Sequence, residues 1–79
     1  MSTSTVKTRA AATDVRFEKD TMRVSLADGR QIGVPLDWFP RLRAAKDSQR
    51  KKWRLIGKGV GIHWDDLDED VSVSALLEA

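Results

Sequence analysis

Apolar and polar residues alternate in three short runs in the first half of the chain. The runs span residues 15–17, 22–26 and 32–34, with Val, Phe, Met, Leu or Ile at every second position. A period of two is the pattern of a strand that buries one face. We therefore predict three strands in this half, joined by short turns.

The loop between the second and third runs is predicted to contain three residues, 27–29 (Ala-Asp-Gly). This length pairs Val24 with Ile32 and Met22 with Val34, so that the apolar residues of both strands share one face. It also places glycine where a type I turn with a G1 bulge needs a left-handed backbone. A two-residue Asp-Gly loop would set apolar residues opposite polar ones or glycine.

The period changes after Pro35 to that of a helix. Asp37 is a candidate N-cap, Pro40 fits a first helical turn, and Asp47 or Ser48 could cap a second helix after a break. We expect this segment to lay two tryptophans and a leucine on the apolar face of the sheet. The residues that share its apolar face are Trp38, Leu42, Ala45, Gln49 and Trp53.

The last third of the chain mixes strand and helix signals. Residues 60–64 predict a fourth strand, and residues 65–70 predict an acidic loop. The final residues fit two structures, because Ser72 could cap a short helix whereas Val71 and Val73 suit a strand. The fold class that follows is α+β: a small three- to four-stranded, largely antiparallel sheet packed against one or two short helices.

Composition restricts the chemistry that is open to the chain. Its 79 residues include no cysteine and one histidine, which excludes disulfides, Cys-based zinc or redox sites and sites with several histidines. We predict a flexible tail at residues 1–12 and a single domain at residues 13–79. Such a small domain buries only about 60% of its unfolded surface, so self-association or a protein partner is expected to support it.

No apolar stretch approaches the ~20 residues of a membrane span, and the N-terminus lacks the apolar core of a signal peptide. We therefore expect a cytoplasmic protein that does not bind a membrane. The net charge is +2, but the charges are segregated. Residues 41–58 contain eight basic residues and one acidic residue, whereas residues 63–79 contain six acidic residues and no lysine or arginine.

The basic block gives the alternative functional hypothesis. On one continuous helix its residues would form a stripe that suits phosphates, so nucleic-acid or phosphate binding is the alternative function. The block could equally dock on the acidic block or be a solvated helix face. Its spacing matches no helix-turn-helix, so base-specific reading of DNA is unsupported. The candidate anion-binding residues are Arg43, Lys46, Arg50, Lys51 and Arg54.

Catalytic and cofactor-binding motifs are not recognisable. Residues 57–61 (Gly-Lys-Gly-Val-Gly) resemble a phosphate-binding loop, but Ile62 and not Ser or Thr follows, so we predict a plain turn. His63 beside Asp65 could act as a general base, yet no serine or cysteine in a recognisable context offers a nucleophile. We therefore expect no enzymatic activity and no cofactor.

A calcium loop is not expected either. Asp66, Asp68 and Asp70 have the spacing that opens an EF-hand loop, but Val71 and Leu77 occupy its glycine and glutamate positions. No metal site is therefore predicted.

The tryptophans have two interpretations. Trp38, Trp53 and Trp64 are many for a chain of this length, and helical spacing favours a place in the core. Tryptophan is also over-represented among the residues that anchor protein interfaces, which is the second interpretation.

Four motifs occur in a recognisable order. They are residues 28–30 (Asp-Gly-Arg), 34–42 (Val-Pro-Leu-Asp-Trp-Phe-Pro-Arg-Leu), 61–64 (Gly-Ile-His-Trp) and 67–73 (Leu-Asp-Glu-Asp-Val-Ser-Val). Together they resemble the bacterial domain-of-unknown-function family 2442 (DUF 2442), over residues 13–77. The chain departs from the family at Lys46-Asp47-Ser48, where members often have a Ser/Thr-Pro-Glu helix start.

The resemblance implies a protein-interaction role. Family members have no established enzymatic activity, and their genes often lie beside the gene of another small protein, in an arrangement read as a toxin–antitoxin-like pair. An antitoxin-like module that binds a small protein partner is therefore the main functional hypothesis. The resemblance transfers no catalytic or ligand residues. The candidate partner-binding residues are Trp38, Phe39, Arg41, Asp65, Asp66, Asp68, Glu69 and Asp70.

Overall fold

Two antiparallel sheets and three short α-helices make up the α+β fold that the sequence predicts. The computed structural model describes residues 11–78, so most of the predicted tail lies outside the described residues. The elements are β1 (Ala12–Glu18), β2 (Thr21–Leu26), β3 (Gln31–Pro35), α1 (Pro40–Ala44), α2 (Asp47–Arg50), β4 (Trp53–Ile56), β5 (Gly61–Trp64), β6 (Glu69–Ser72) and α3 (Val73–Glu78), with 3-10 helices at Leu36–Trp38 and Asp65–Leu67.

The first sheet has the strand order β1-β2-β3 and the register predicted for its second hairpin. Val24 pairs with Ile32 and Met22 with Val34, which confirms the three-residue loop. Gly29 has a φ of +96° and donates its N–H to the carbonyl oxygen of Leu26 at 3.0 Å. Glycine adopts this left-handed backbone without the steric cost that a Cβ would bring.

The second sheet, with the order β4-β5-β6, corrects the prediction for two segments. The predicted acidic loop ends earlier than expected, because Glu69 and Asp70 lie in β6. β5 was expected as a strand, but β4 was expected as the end of a helix. Trp53 and Leu55 are half-buried and alternate with exposed Arg54 and Ile56, and all four pair with β5. The four-residue spacing of Gln49 and Trp53 imitates a helix, and pairing with β5 overrides it. The strands therefore form two three-stranded sheets.

The helical segment breaks near Asp47, as predicted, but Lys46 and not Asp47 or Ser48 is the N-cap of α2. Ala45 and Lys46 have extended backbones with ψ of 159° and 158°, so α1 and α2 are separate helices. Phe39 and not Asp37 is the N-cap of α1, with Pro40 in its first turn. None of the helices within residues 11–78 has the length and apolar character needed to cross a membrane.

Both sheets contribute to one core, which Leu42 of α1 joins as predicted. Trp64 is fully buried, and the ring of Phe17 meets it edge-on with centroids 6.4 Å apart. Trp53 packs against the core from β4 while partly exposed. The prediction that Trp38 lies in the core is wrong, because 50% of it is exposed on a short 3-10 helix.

The two ambiguous segments are now defined. Residues 57–60 form the turn between β4 and β5, as predicted for the glycine-rich motif. At the C-terminal end both alternatives occur in succession, because Val71 lies in β6 and α3 begins at Val73. The Ser72 hydroxyl accepts the N–H of Ala75 at 3.3 Å, which is the capping contact that the sequence suggested.

Candidate functional site

The acidic block folds back onto part of the basic block. A guanidinium nitrogen of Arg54 on β4 lies 3.3 Å from the Asp65 carboxylate, and the Lys52 ammonium lies 3.5 Å from Asp66. The hairpin that joins β4 to β5 brings these residues together across the sheet. Two of the candidate partner-binding carboxylates are therefore occupied by the chain's own cations.

Arg41 ties α1 to the start of β6. Its Nη1 donates to the carbonyl oxygen of Asp68 at 2.6 Å and approaches the carbonyl oxygen of Leu67 at 3.5 Å. Asp68 has a left-handed backbone with a φ of +51°, a conformation that Asp adopts more readily than most residues. This turn directs the chain from the 3-10 helix into β6, so Arg41 contacts backbone and not a carboxylate.

Asp65 contacts both Arg54 and His63. The hydrogen bond from Arg54 is the main cause that lowers the pKa of the Asp65 carboxyl below its ordinary value, and His63 contributes. Because this side chain is 66% exposed, water screens the interaction and its energetic contribution is small.

His63 stands between two carboxylates. Its Nε2 lies 2.9 Å from Asp65, and its Nδ1 makes a short contact with Asp70 of β6. Both ring nitrogens are therefore engaged within the chain, and neither is open toward a substrate.

Arg50 is the most enclosed of the candidate anion-binding residues, with a side chain that is 15% exposed. Its Nε donates to the Leu42 carbonyl at 2.8 Å and its Nη2 to the Arg43 carbonyl at 2.8 Å. The guanidinium also lies over the ring of Phe17, 5.7 Å from its centroid. Trp64 donates its indole N–H to the Arg50 carbonyl at 3.0 Å. Arg50 thus joins α1, α2 and both sheets.

The remaining basic candidates do not form a single stripe. Arg43 contacts Asp20 at 3.0 Å and Asp37 at 3.1 Å from α1, whereas Arg54 lies on β4. Lys46 and Lys51 flank α2, and no carboxylate within residues 11–78 lies within ion-pairing distance of either. The break at Ala45 and the strand at β4 separate residues that one helix would have aligned.

An apolar groove lies between the 3-10 helix before α1 and the C-terminal elements. It has a volume of about 330 Å³, and we call it the Trp38 groove. Trp38 is exposed at its rim and Phe39 is partly buried. The residues that line it are Trp38, Phe39, Asp70, Val71, Ser72, Ala75 and Leu76.

The Trp38 groove unites only part of the predicted partner-binding surface. Trp38, Phe39 and Asp70 line it, and Arg41 contacts the backbone just before β6. The opposite wall consists of Ala75 and Leu76 of α3, which were not among the predicted binding residues. Their apolar character was visible, but nothing in the sequence indicated that α3 would face Trp38.

A second cleft of about 380 Å³ lies between β1 and β4. Arg16, Lys51 and Trp53 line it together with Arg50. Arg16 contacts Asp14 at 3.1 Å, and Arg50 is occupied by the carbonyls of α1. The cleft therefore presents few uncommitted cationic groups.

Comparisons with known proteins agree with this fold. Residues 12–79 match the family described as protein of unknown function, DUF2442. The chain is also similar to a crystal structure, at 2.75 Å resolution, of a protein of unknown function from Rhodospirillum rubrum ATCC 11170. The two are 27% identical with a TM-score of 0.76, over 90% of this chain and 88% of the other. No curated protein matches the sequence.

Proposed function

Because the chain belongs to the DUF2442 family, whose members are described as proteins of unknown function, we propose a function from its geometry. The protein is a small interaction module that binds another protein through the Trp38 groove. The observation that carries this proposal is the half-exposed Trp38 beside an apolar groove.

An exposed tryptophan needs a reason in such a small fold. Trp64 is completely buried in the core of the same chain, whereas half of the surface of Trp38 is exposed to solvent. Tryptophan is enriched among the few residues that carry most of the energy of a protein interface. A groove with apolar walls and an aromatic rim suits an anchor residue of a partner.

The specific form of the proposal is an antitoxin-like role. In that form the partner is a small protein, encoded beside this one, that is harmful when it is expressed alone. Binding through the Trp38 groove would cover a part of the partner that its activity needs. Catalysis has no part in the proposal, and the engagement of both ring nitrogens of His63 supports this.

Co-expression with the product of the adjacent gene tests the proposal. We expect the two proteins to co-purify and the Trp38→Ala variant to lose most of the partner. The control is a Lys46→Ala/Lys51→Ala variant, which removes two cations that flank α2 and leaves the groove intact. If Trp38→Ala retains the partner and the lysine variant loses it, binding through the groove would be rejected in favour of binding through the basic segment.

A further inference from the structure

β6 forms the outer edge of the second sheet. The strand order is β4-β5-β6, and no strand within residues 11–78 pairs with the other side of β6. The open edge of a sheet presents unpaired N–H and C=O groups, which makes it a template for another strand. The Trp38 groove lies directly beside this edge, because Asp70, Val71 and Ser72 line it.

The register shows which backbone groups face outward. The Val73 N–H donates to the Val60 carbonyl at 3.0 Å, which continues the pairing of Ile62 with Val71 in β5 and β6. In an antiparallel ladder, directly hydrogen-bonded pairs alternate with pairs whose peptide groups face away. Val71 therefore faces β5, and the N–H and C=O of Asp70 face the open edge.

Arg41 sets one limit of this edge. Its guanidinium already occupies the carbonyl oxygen of Asp68, two residues before Asp70. At the other end α3 begins at Val73, so the chain leaves the strand conformation. The available edge is short and lies between the Trp38 and Phe39 side of the groove and α3.

The charge around the edge selects the occupant. Asp68 and Glu69 directly precede Asp70 in the chain. In the described part of the chain, no lysine or arginine lies within ion-pairing distance of the carboxylates of Asp68 and Glu69. A second copy of this chain, paired antiparallel through the outward-facing Asp70, would set Asp70 directly opposite Asp70, and like charges in that position are unfavourable. A basic segment would be attracted.

We propose that the Trp38 groove takes an extended, basic segment of a partner protein, which adds to β6 as a fourth strand of the second sheet. This inference rests on the proposed protein-binding function and names the chemistry of the partner. The backbone of Asp70 holds the added strand, the apolar groove takes one of its side chains, and its cations face the acidic residues.

The test uses three synthetic hexapeptides in calorimetric titrations of the full chain. The first alternates Lys and Val; the second has the same sequence with N-methyl groups on all its backbone amides; the third replaces Lys with Glu. We expect the first peptide to bind and, in NMR spectra of the chain, to shift the amide resonance of Asp70. N-methylation should weaken binding about tenfold or more, because it removes ladder hydrogen bonds and leaves charge and side chains unchanged. The Glu peptide should not bind.

Four results would overturn the inference. Equal binding of the methylated peptide would remove strand addition, and equal binding of the Glu peptide would remove the basic chemistry. The absence of binding by the Lys-Val peptide at millimolar concentration would remove both. A dimer in sedimentation that this peptide dissociates would assign the edge to a second copy. The co-expression experiment tests the proposed function separately. If the Trp38→Ala variant loses the co-expressed partner, protein binding through the Trp38 groove is supported whichever of these four results is found.

Discussion

Gly59 combines two demands that only glycine meets. Its φ is +98°, and a Cβ built on it would lie 2.5 Å from the carbonyl oxygen of Ala12 and 2.9 Å from the Ala12 nitrogen. The close approach exists because the Ala12 N–H donates to the Gly59 carbonyl at 2.7 Å. This contact fastens the start of β1 to the β4–β5 turn, so one residue links the two sheets.

The Gly59→Ala substitution is therefore expected to cost more stability than Gly29→Ala, its matched control. Gly29 has a similar φ of +96°, but a Cβ there meets nothing within 4 Å. The control should lose about 1–2 kcal/mol from backbone conformation alone. Gly59→Ala should lose a further ~1–3 kcal/mol from the clash with backbone atoms. Urea unfolding measures both, and equal losses would contradict the close approach.

Arg50 is expected to stabilise the fold through the shape of its guanidinium. The Arg50→Lys substitution keeps the charge but cannot donate to both α1 carbonyls while lying over Phe17. We expect a loss of about 1–3 kcal/mol in the free energy of unfolding. Arg54→Lys, the control, changes an exposed surface pair and should lose less than about 1 kcal/mol. Similar losses in both would show that Arg50 is not a structural residue.

At the scale of elements, the pairing of β4 with the segment after β5 predicts a pH dependence. The pKa of Asp65 is lowered in the folded chain, chiefly by the hydrogen bond from Arg54. A lowered pKa means that the contribution to stability is present above the ordinary value of 3.8 and is lost as the pH falls below it. In both Asp65→Asn and Arg54→Gln, the free energy of unfolding should fall slightly less between pH 5 and pH 2 than it does in the unsubstituted chain. The same fall in both variants as in the unsubstituted chain would contradict the pairing.

Elements with consistent local signals were predictable, and elements with conflicting ones were not. The hairpin of β2 and β3 was predictable down to its register, because the alternation and the glycine of the turn agree. β4 was not, since the spacing of Gln49 and Trp53 fits a helix and only pairing with β5 makes residues 53–56 a strand. Trp38 followed the same helical pattern and was misplaced, because it lies on the 3-10 helix before α1 and not on the same helix as Leu42.

At the scale of the whole molecule, the segregation of charge was visible in the sequence but its consequence was not. Several residues of the basic block contact the acidic block or backbone carbonyls of the chain itself, which explains why no single cationic stripe forms. The sequence also supplied Trp38, Phe39 and Asp70 as candidates for one surface. It could not supply the wall from α3, because that wall depends on how β6 and α3 pack beside the 3-10 helix.

The central claim is that Trp38 serves binding and contributes little to folding. The most direct measurement compares the free energies of unfolding of Trp38→Ala and Leu42→Ala, one residue half-exposed and the other fully buried on the neighbouring helix. We predict a loss below about 1.5 kcal/mol for Trp38→Ala, and about 2–5 kcal/mol for Leu42→Ala. A loss for Trp38→Ala equal to or above that of Leu42→Ala would contradict the claim and make Trp38 a core residue.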